Sequence, residues 1–476
     1  MQLFLSGETF RYECENLCRL FFPYSPVKVE EPGAPLVEGP RAFASIEKED
    51  GPYHYRVEVT DGEKTLVRED FSPDLQEYTM TNLLYRSFVE LTGTTPAWGM
   101  LTGIHPVKLL RQYVEERGEE AGTAYFQEHC HVSAPKADLA LRVLRAQTPA
   151  VEALGENDCS LYVSIPFCPT RCAYCSFVSQ DVEHAKKLVD PYFSLLLVEL
   201  EKTAQVIQGL GLSLISVYIG GGTPTTLSAG QLSALCGKIR QEFDLSRCGE
   251  FTVEAGRPDS ITRDKLQVLL DHGITRISIN PQTMNQATLD LIGRRHTVEQ
   301  TVSAFCLARE MGFDNINMDL IVGLPGEGKE QVEHTMKEIG KLDPDSVTVH
   351  SLALKRAARL SLFKDEYQDI SFQNSSEIMD MTASYCERAG LYPYYLYRQK
   401  NMAGNFENVG YAREGKAGIY NILIMEEVQS ILALGAGGST KVVYGPDRIE
   451  RIENVKDIKN YIERIDEMIE RKKRIG

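Results

Sequence analysis

The stretch from 160 to 355 constrains the fold most. Six apolar strand-like runs appear there: SLYVSIP (160–166), LISVYIGG (214–221), EFTVEAG (250–256), RISINPQ (276–282), INMDLIVGLP (316–325) and SVTVHSLAL (346–354). Amphipathic helix-like runs separate them, near 190–209, 228–243, 262–272, 297–312 and 328–341. A strand that is apolar throughout must be covered on both faces, and intervening helices supply the cover. The pattern predicts an α/β fold with a parallel sheet, either an open barrel-like βα array or a doubly wound sheet. Gly, Pro and polar residues gather where the strands end, in GGGTPT, EAGRPD, NPQT and DLIVGLPGE. In parallel α/β architectures that is the face where ligands bind.

The flanking stretches have a different texture. Residues 1–155 read as an α+β region, with strands in 43–71 joined by the turn segments EDG and DGE. Helices follow over 74–155, punctuated by Pro96 and Pro106, and the only Trp, Trp98, reads as a packed anchor. Residues 359–476 hold an aromatic stretch, LYPYYLYRQKN (391–401), and a glycine-rich strand-like run, ILALGAGGST (431–440). They close on a charged amphipathic helix near 455–473, whose charges read as a solvated face.

Charge and cysteine usage exclude several classes. A net charge of −16 counts against a generic nucleic-acid binder, although local Arg and Lys can still hold an anionic small molecule. No apolar run is long enough to span a membrane, and the N-terminus lacks the marks of a signal peptide, so a cytoplasmic location is expected. Eleven cysteines are an odd, scattered set, unlike a disulfide framework. Cys14, Cys18, Cys130, Cys159, Cys236, Cys248, Cys306 and Cys386 read as small buried hydrophobes.

The remaining three are different. IPFCPTRCAYCSF (165–177) puts Cys168, Cys172 and Cys175 at C-x3-C-x2-C spacing directly after the first strand. One short loop with such spacing can wrap an iron–sulfur cubane and leave one iron open to a chelating amine and carboxylate. Structural zinc also takes clustered cysteines but needs a fourth ligand; Cys159 and His184 are the nearby candidates, and neither has finger spacing. Glu254 and Asp319 are charges inside apolar strands, so each must be paired or liganded; a buried salt bridge to an arginine is the structural alternative for Asp319.

Preceded by LYVSIPFC, the cysteine motif resembles that of the radical S-adenosylmethionine (SAM) superfamily. VYIGGGTPT, FTVEAGRPD, SINPQTM, IGRRHT and NINMDLIVGLP resemble its coproporphyrinogen dehydrogenase branch, the oxygen-independent coproporphyrinogen III oxidases. With residues 1–155 included, the chain is most similar to the HemZ type of that branch. The resemblance spans residues 155–440. It implies a partial (β/α)6 barrel over 156–358, an N-terminal α+β region over 1–155 and a C-terminal α+β region on the substrate side over 359–476.

The resemblance also implies roles. Cys168, Cys172 and Cys175 would hold a [4Fe–4S] cluster. Tyr162, six residues before Cys168, would contact SAM, and Tyr174 would cover the cluster and its ligand. Gly221, Gly222 and Thr223 would receive the amino group of SAM, and Glu254 its ribose. Gln282, Arg294 and Asp319 match positions that contact SAM in this branch, where a second molecule can bind. Ala353 matches a backbone contact.

The implied activity is oxidative decarboxylation of coproporphyrinogen III to protoporphyrinogen IX in haem biosynthesis, with a flavodoxin- or ferredoxin-type electron donor. Four substrate carboxylates favour bidentate arginines, and Arg356, Arg359 and Arg398 are the candidates, with Lys355 and Lys400 beside them. Two positions depart from the family motif. It continues as C-x2-C-x-C and has a histidine two residues after its tyrosine, whereas this chain has Phe177 and Ser164. In both respects it resembles the haem-chaperone branch. A haem chaperone, with His296 or His350 as an axial ligand, is therefore one alternative reading. A radical SAM enzyme acting on another tetrapyrrole or other substrate is the second.

Overall fold

The structure, a computed structural model, describes residues 1–476 apart from 8, 24, 32, 49, 50, 178, 354–373, 400–404, 446, 447 and 476. Two compact units divide the chain: Met1–Leu141 with Arg398–Asn401, and Arg142–Tyr397 with Met402–Gly476. The division falls inside the helix Ala134–Glu152 rather than at 155. The end of that helix belongs with the second unit, where Ala150 and Val151 pack on a cluster of Tyr394, Tyr395, Ala412 and Ile422.

The first unit is built on β1 (Gln2–Gly7), β2 (Lys28–Glu30), β3 (Arg41–Lys48), β4 (Tyr53–Thr60) and β5 (Thr65–Ser72), in the order β2-β1-β3-β4-β5. β3, β4 and β5 form the expected antiparallel meander. At the DGE turn, Asp61 accepts the N–H groups of Glu63 and Lys64 at 2.9 and 2.8 Å. The pairing of β1 is parallel to both β2 and β3. Period-two alternation gives the sheet one apolar face, and Leu3, Ala44, Val57 and Val59 bury it under the helices Arg11–Phe21 and Glu77–Thr92. Cys14 and Cys18 share the inner face of the first helix, as the four-residue spacing predicts; burial pushes the Cys14 thiol up to about 12. Trp98 is fully buried. Arg398 stands with its guanidinium 5.8 Å above the Trp98 ring and donates to Leu101 O at 2.6 Å.

The second unit opens with β6 (Asp158–Ile165) and a short parallel pair, β7 (Phe167–Cys168) and β8 (Gln180–Asp181). β9 (Ser213–Gly221), β10 (Glu250–Glu254), β11 (Arg276–Ser278), β12 (Ile316–Val322) and β13 (Ser346–Ser351) follow, each parallel to its predecessor in the order β6-β9-β10-β11-β12-β13. Six parallel strands in sequential order, with helices between, are an open (β/α)6 array. Helix starts are fixed locally: Ser228 with Gln231 and Thr297 with Gln300 form capping boxes. The sequence pattern places the first of these helices near 190–209. The helix nevertheless begins at Val182, where Asp181 caps the N–H of Glu183, and runs through Pro191 to Gly209.

The C-terminal quarter continues this sheet instead of forming a separate region. β14 (Tyr392–Tyr397) and β15 (Asn408–Ala412) extend the β13 edge in antiparallel fashion. β16 (Ser430–Leu434) lies parallel to β6, and β17 (Ser439–Gly445) and β18 (Arg448–Glu453) complete the other edge. An open array leaves two strand edges with unpaired backbone groups, and these apolar strands satisfy them.

The terminal helix is also less solvated than its charges suggest. It breaks at Arg464 into Ile458–Glu463 and Ile465–Lys472. Lys472 is 1 % exposed and lies 3.4 Å from the fully buried carboxylate of Glu199. That carboxylate also accepts from Tyr461 Oη (2.6 Å), Asn454 Nδ2 (2.7 Å) and Gly435 N (2.8 Å). The network presses the Gly435–Gly438 turn against the end of β6. Gly435 has φ +84°, and a Cβ there would stand 2.6 Å from Ser164 O. Cys306 corrects another expectation, being exposed on its helix, and Cys248 is only partly buried. Among the described residues, no helix is long and apolar enough to cross a membrane.

Candidate cofactor site at the strand ends

β6 delivers the chain to Pro166, and Cys168 ends β7 immediately beyond it. Cys168, Cys172 and Cys175 are half-buried, in contrast to the buried Cys159, Cys236 and Cys386. Several neighbours hold their loop. Ala173 N donates to Ile292 O (2.9 Å), Thr170 Oγ1 to Gly293 O (3.0 Å), and Thr223 N to Phe167 O (2.7 Å). Burial pushes the Cys175 thiol up to about 11, and the nearby sulfurs of Cys172 and Cys168 push in the same direction. Burial also raises Cys168, against the opposing pull of the Thr223 hydroxyl, which lies 3.6 Å from its sulfur.

The three cysteines share one short loop after β6. Among the described residues, no three His, Cys, Asp or Glu side chains converge on one metal position. A cubane binds each thiolate through a different iron and needs a wider triangle. The proposed fourth zinc ligands are elsewhere: Cys159 is fully buried near the start of β6, and the His184 side chain is 88 % exposed. The adjoining cradle requires glycine. A Cβ on Gly222 would stand 2.6 Å from Phe167 O and 3.0 Å from Cys168 Sγ, and Gly221 has φ +106°.

Beside the cysteine loop lies a group of aromatic and acidic side chains. Tyr218 Oη donates to Glu254 Oε1 at 2.6 Å. The rings of Tyr162, Tyr218 and Tyr420 stack, with centroids 6.1 Å apart for Tyr162 to either partner and 4.5 Å for Tyr218 to Tyr420. Burial pushes the Glu254 carboxyl up to about 7; the Tyr218 hydroxyl opposes this and the Asp319 charge reinforces it. Asp319 shows the opposite balance. Burial works against its charge, but His350 (3.8 Å) and Asn317 Nδ2 (2.7 Å) win and hold it below the usual carboxylate value. Its partner is thus a histidine, not the arginine of the structural alternative.

Gln282 has φ +65°, a costly conformation for a residue with a side chain. It is pinned there by Gln282 N to Asp319 O (3.0 Å) and Ile321 N to Gln282 O (2.9 Å). Arg294, 3 % exposed, donates to Gly256 O (2.7 Å) and to Tyr174 Oη (3.4 Å). Ala353 is half-buried just past β13.

Other expectations are placed differently. Arg398 is 4 % exposed; in the first unit it donates to Leu101 O and stands over the Trp98 ring. Arg356, Arg359, Lys355 and Lys400 lie outside the described residues. His296 is fully buried and held neutral, down to about 3, by burial and by Arg294 and Arg257. His350 is tied to Asp319 and Tyr397. Ser164 is 5 % exposed and donates to Ala436 O at 3.0 Å, whereas Phe177 is 67 % exposed. Sequence reasoning missed Tyr218, Tyr420 and Arg257. Tyr420 sits in an apolar run with no marker, but Arg257, between a glycine and a proline in EAGRPD, carried a readable signal.

Comparison with known proteins agrees with this geometry. The radical SAM superfamily profile matches residues 162–339. The chain is 39% identical over 419 residues to the oxygen-independent coproporphyrinogen-III oxidase-like protein HemZ of Bacillus subtilis, covering 84% of this chain and 83% of that protein. It is 32% identical to the heme chaperone HemW of the same organism, over 65% of this chain and 76% of the other. Among solved structures, coproporphyrinogen III oxidase (HemN) from Escherichia coli, a radical SAM enzyme, superposes with a TM-score of 0.52 at 25% identity, over 68% of this chain and 73% of that one.

Proposed function

The chain belongs to the radical SAM superfamily, in the group of oxygen-independent coproporphyrinogen III oxidase-like HemZ proteins, and on that premise we propose that it oxidatively decarboxylates the propionates of coproporphyrinogen III. Its cofactors are a [4Fe–4S] cluster and SAM. The observation that carries the reading is the glycine cradle beside the cysteine loop with Glu254 at the C-terminal end of β10, whose carboxylate senses the charge of Asp319 within β12.

When bound and reduced, the pair supplies a 5′-deoxyadenosyl radical that abstracts a hydrogen atom. In the proposed reaction the substrate radical then loses carbon dioxide and passes one electron to an external one-electron acceptor, leaving a vinyl group. Cys168, Cys172 and Cys175 hold the cluster; Gly221, Gly222 and Thr223 leave room for the amino acid end of SAM. Glu254 accepts from the ribose, and Tyr218, 2.6 Å away, fixes its carboxylate. Asp319, Gln282 and Arg294 line the remaining SAM surface, and Tyr162 and Tyr174 exclude water. A small flavodoxin- or ferredoxin-type protein supplies electrons.

A pH dependence follows from Glu254. With its carboxyl pushed up to about 7, Glu254 becomes the stronger, charged acceptor for a ribose only once its proton has left. SAM affinity is expected to level off above pH 7 and to fall below it, approaching roughly tenfold per pH unit. For the cofactor-free fold the direction is reversed: the protonated carboxyl favours burial, so this contribution is fully present below the usual carboxylate value and is lost as pH rises through about 7. Glu254→Gln should flatten the binding profile measured by calorimetry at pH 6 and 8. Asp319→Ala should weaken SAM binding by about 1–3 kcal/mol with iron content retained. Wild-type affinity in both variants would make these carboxylates structural.

The substrate is tested by mass. Loaded protein with SAM, a competent donor and coproporphyrinogen III should yield mono- and divinyl products. The second reading, a haem chaperone, is favoured by Ser164 and Phe177: the Ser164 hydroxyl is buried and committed to Ala436 O, and Phe177 supplies no thiol. Retained haem with no vinyl product would put that reading first.

A further inference from the structure

Arg257 is 3 % exposed and stands behind the cysteine loop. Its Nε and Nη2 donate to the two oxygens of Asp259 at 3.0 and 2.9 Å. Its Nη1 donates to Thr170 O (3.2 Å) and Thr170 Oγ1 (3.0 Å). Thr170 is midway between Cys168 and Cys172. Burial works against the guanidinium charge, and Cys172, Asp259 and Cys168 together hold it in place. The Asp259 carboxylate is on the other side of Arg257 and its side chain is 21% exposed, so water screens it more than it screens the guanidinium. Two further arginines lie at the loop: Arg294, which reaches it through Tyr174, and Arg171, within the loop itself, which acts on Cys175.

We infer that Arg257 is a positioning residue for the cluster: through Thr170 it fixes the cysteine loop, and its buried positive charge favours the reduced state. Reduction adds one negative charge to a cluster already carrying three thiolates. A fixed cation in a desolvated spot lowers the cost of that charge, one of the ways a protein sets a cluster's potential. Asp259 offsets part of the effect, so the Arg257–Asp259 pair sets its size.

The test is a redox titration, followed by electron paramagnetic resonance, of the anaerobically loaded, SAM-free protein. Arg257→Gln should make reduction about tenfold less favourable at a given ambient potential, a shift of about 59 mV to more negative values for one electron. Asp259→Asn leaves the guanidinium uncompensated and should shift the potential the other way. A purely mechanical tether predicts no opposite shifts; potentials that move together, or not at all, overturn the inference. If Arg257→Gln fails to hold a cluster, Asp259→Asn decides alone: a less negative potential supports the inference, and an unchanged or more negative one overturns it. The inference rests on the cluster assignment, and the two fail differently. A wild-type protein that forms no cluster overturns the assignment, whereas a loaded wild type with unshifted variants overturns only the role of Arg257.

Discussion

Replacing any one of Cys168, Cys172 or Cys175 with Ala should abolish the charge-transfer absorption of the anaerobic protein, whereas Cys306→Ala should leave it intact. Three thiolates are the fewest that hold a cubane with one open iron, so none is spare. The other cysteines cannot take over. Cys14, Cys18, Cys159, Cys236 and Cys386 are buried in cores, and Cys306 is an exposed residue on the helix Val298–Met311. Iron content that survives the triple substitution would show the ligand assignment to be wrong.

The second large effect is one of stability. Lys472→Ala leaves the Glu199 carboxylate buried with its hydrogen bonds but without its cation. Breaking a buried ion pair from one side costs about 3–5 kcal/mol, because the remaining charge is uncompensated. The denaturant midpoint of cluster-free protein should fall accordingly. Glu199→Gln combined with Lys472→Met removes both charges and should recover much of the loss. A loss below about 1 kcal/mol for Lys472→Ala would mean that the pair is solvated, as exposed pairs are. The consequence reaches the cofactor site, because Glu199 holds Gly435 N and the adjoining Ala436 accepts from Ser164 at the end of β6.

The parallel array was legible because its strand runs are largely apolar and amphipathic helical runs separate them. The cysteine loop was legible from spacing alone. Glu254 and Asp319 stood out as charges in apolar strands; their partners did not, since Tyr218 and His350 are distant in sequence and meet only across neighbouring strands. The C-terminal quarter reads as a separate region for a similar reason. Edge pairing between β16 and β6 joins residues 271 apart, such as Ser160 and Ile431, and leaves no local mark. Lys472 looked like a solvated charge because a helical charge pattern does not reveal which face meets a buried carboxylate. Arg398 looked like a clamp because a cation among tyrosines reads the same whether it faces a ligand or packs over Trp98.

The most direct measurement is a single anaerobic experiment on the reconstituted wild-type chain: iron and sulfide analysis, then reduction in the presence of SAM with chromatographic quantification of nucleosides. The account predicts about four iron and four sulfide per chain and the release of 5′-deoxyadenosine with methionine. Protein that binds zinc in place of iron, or a fully loaded, reduced cluster that leaves SAM intact, would contradict it.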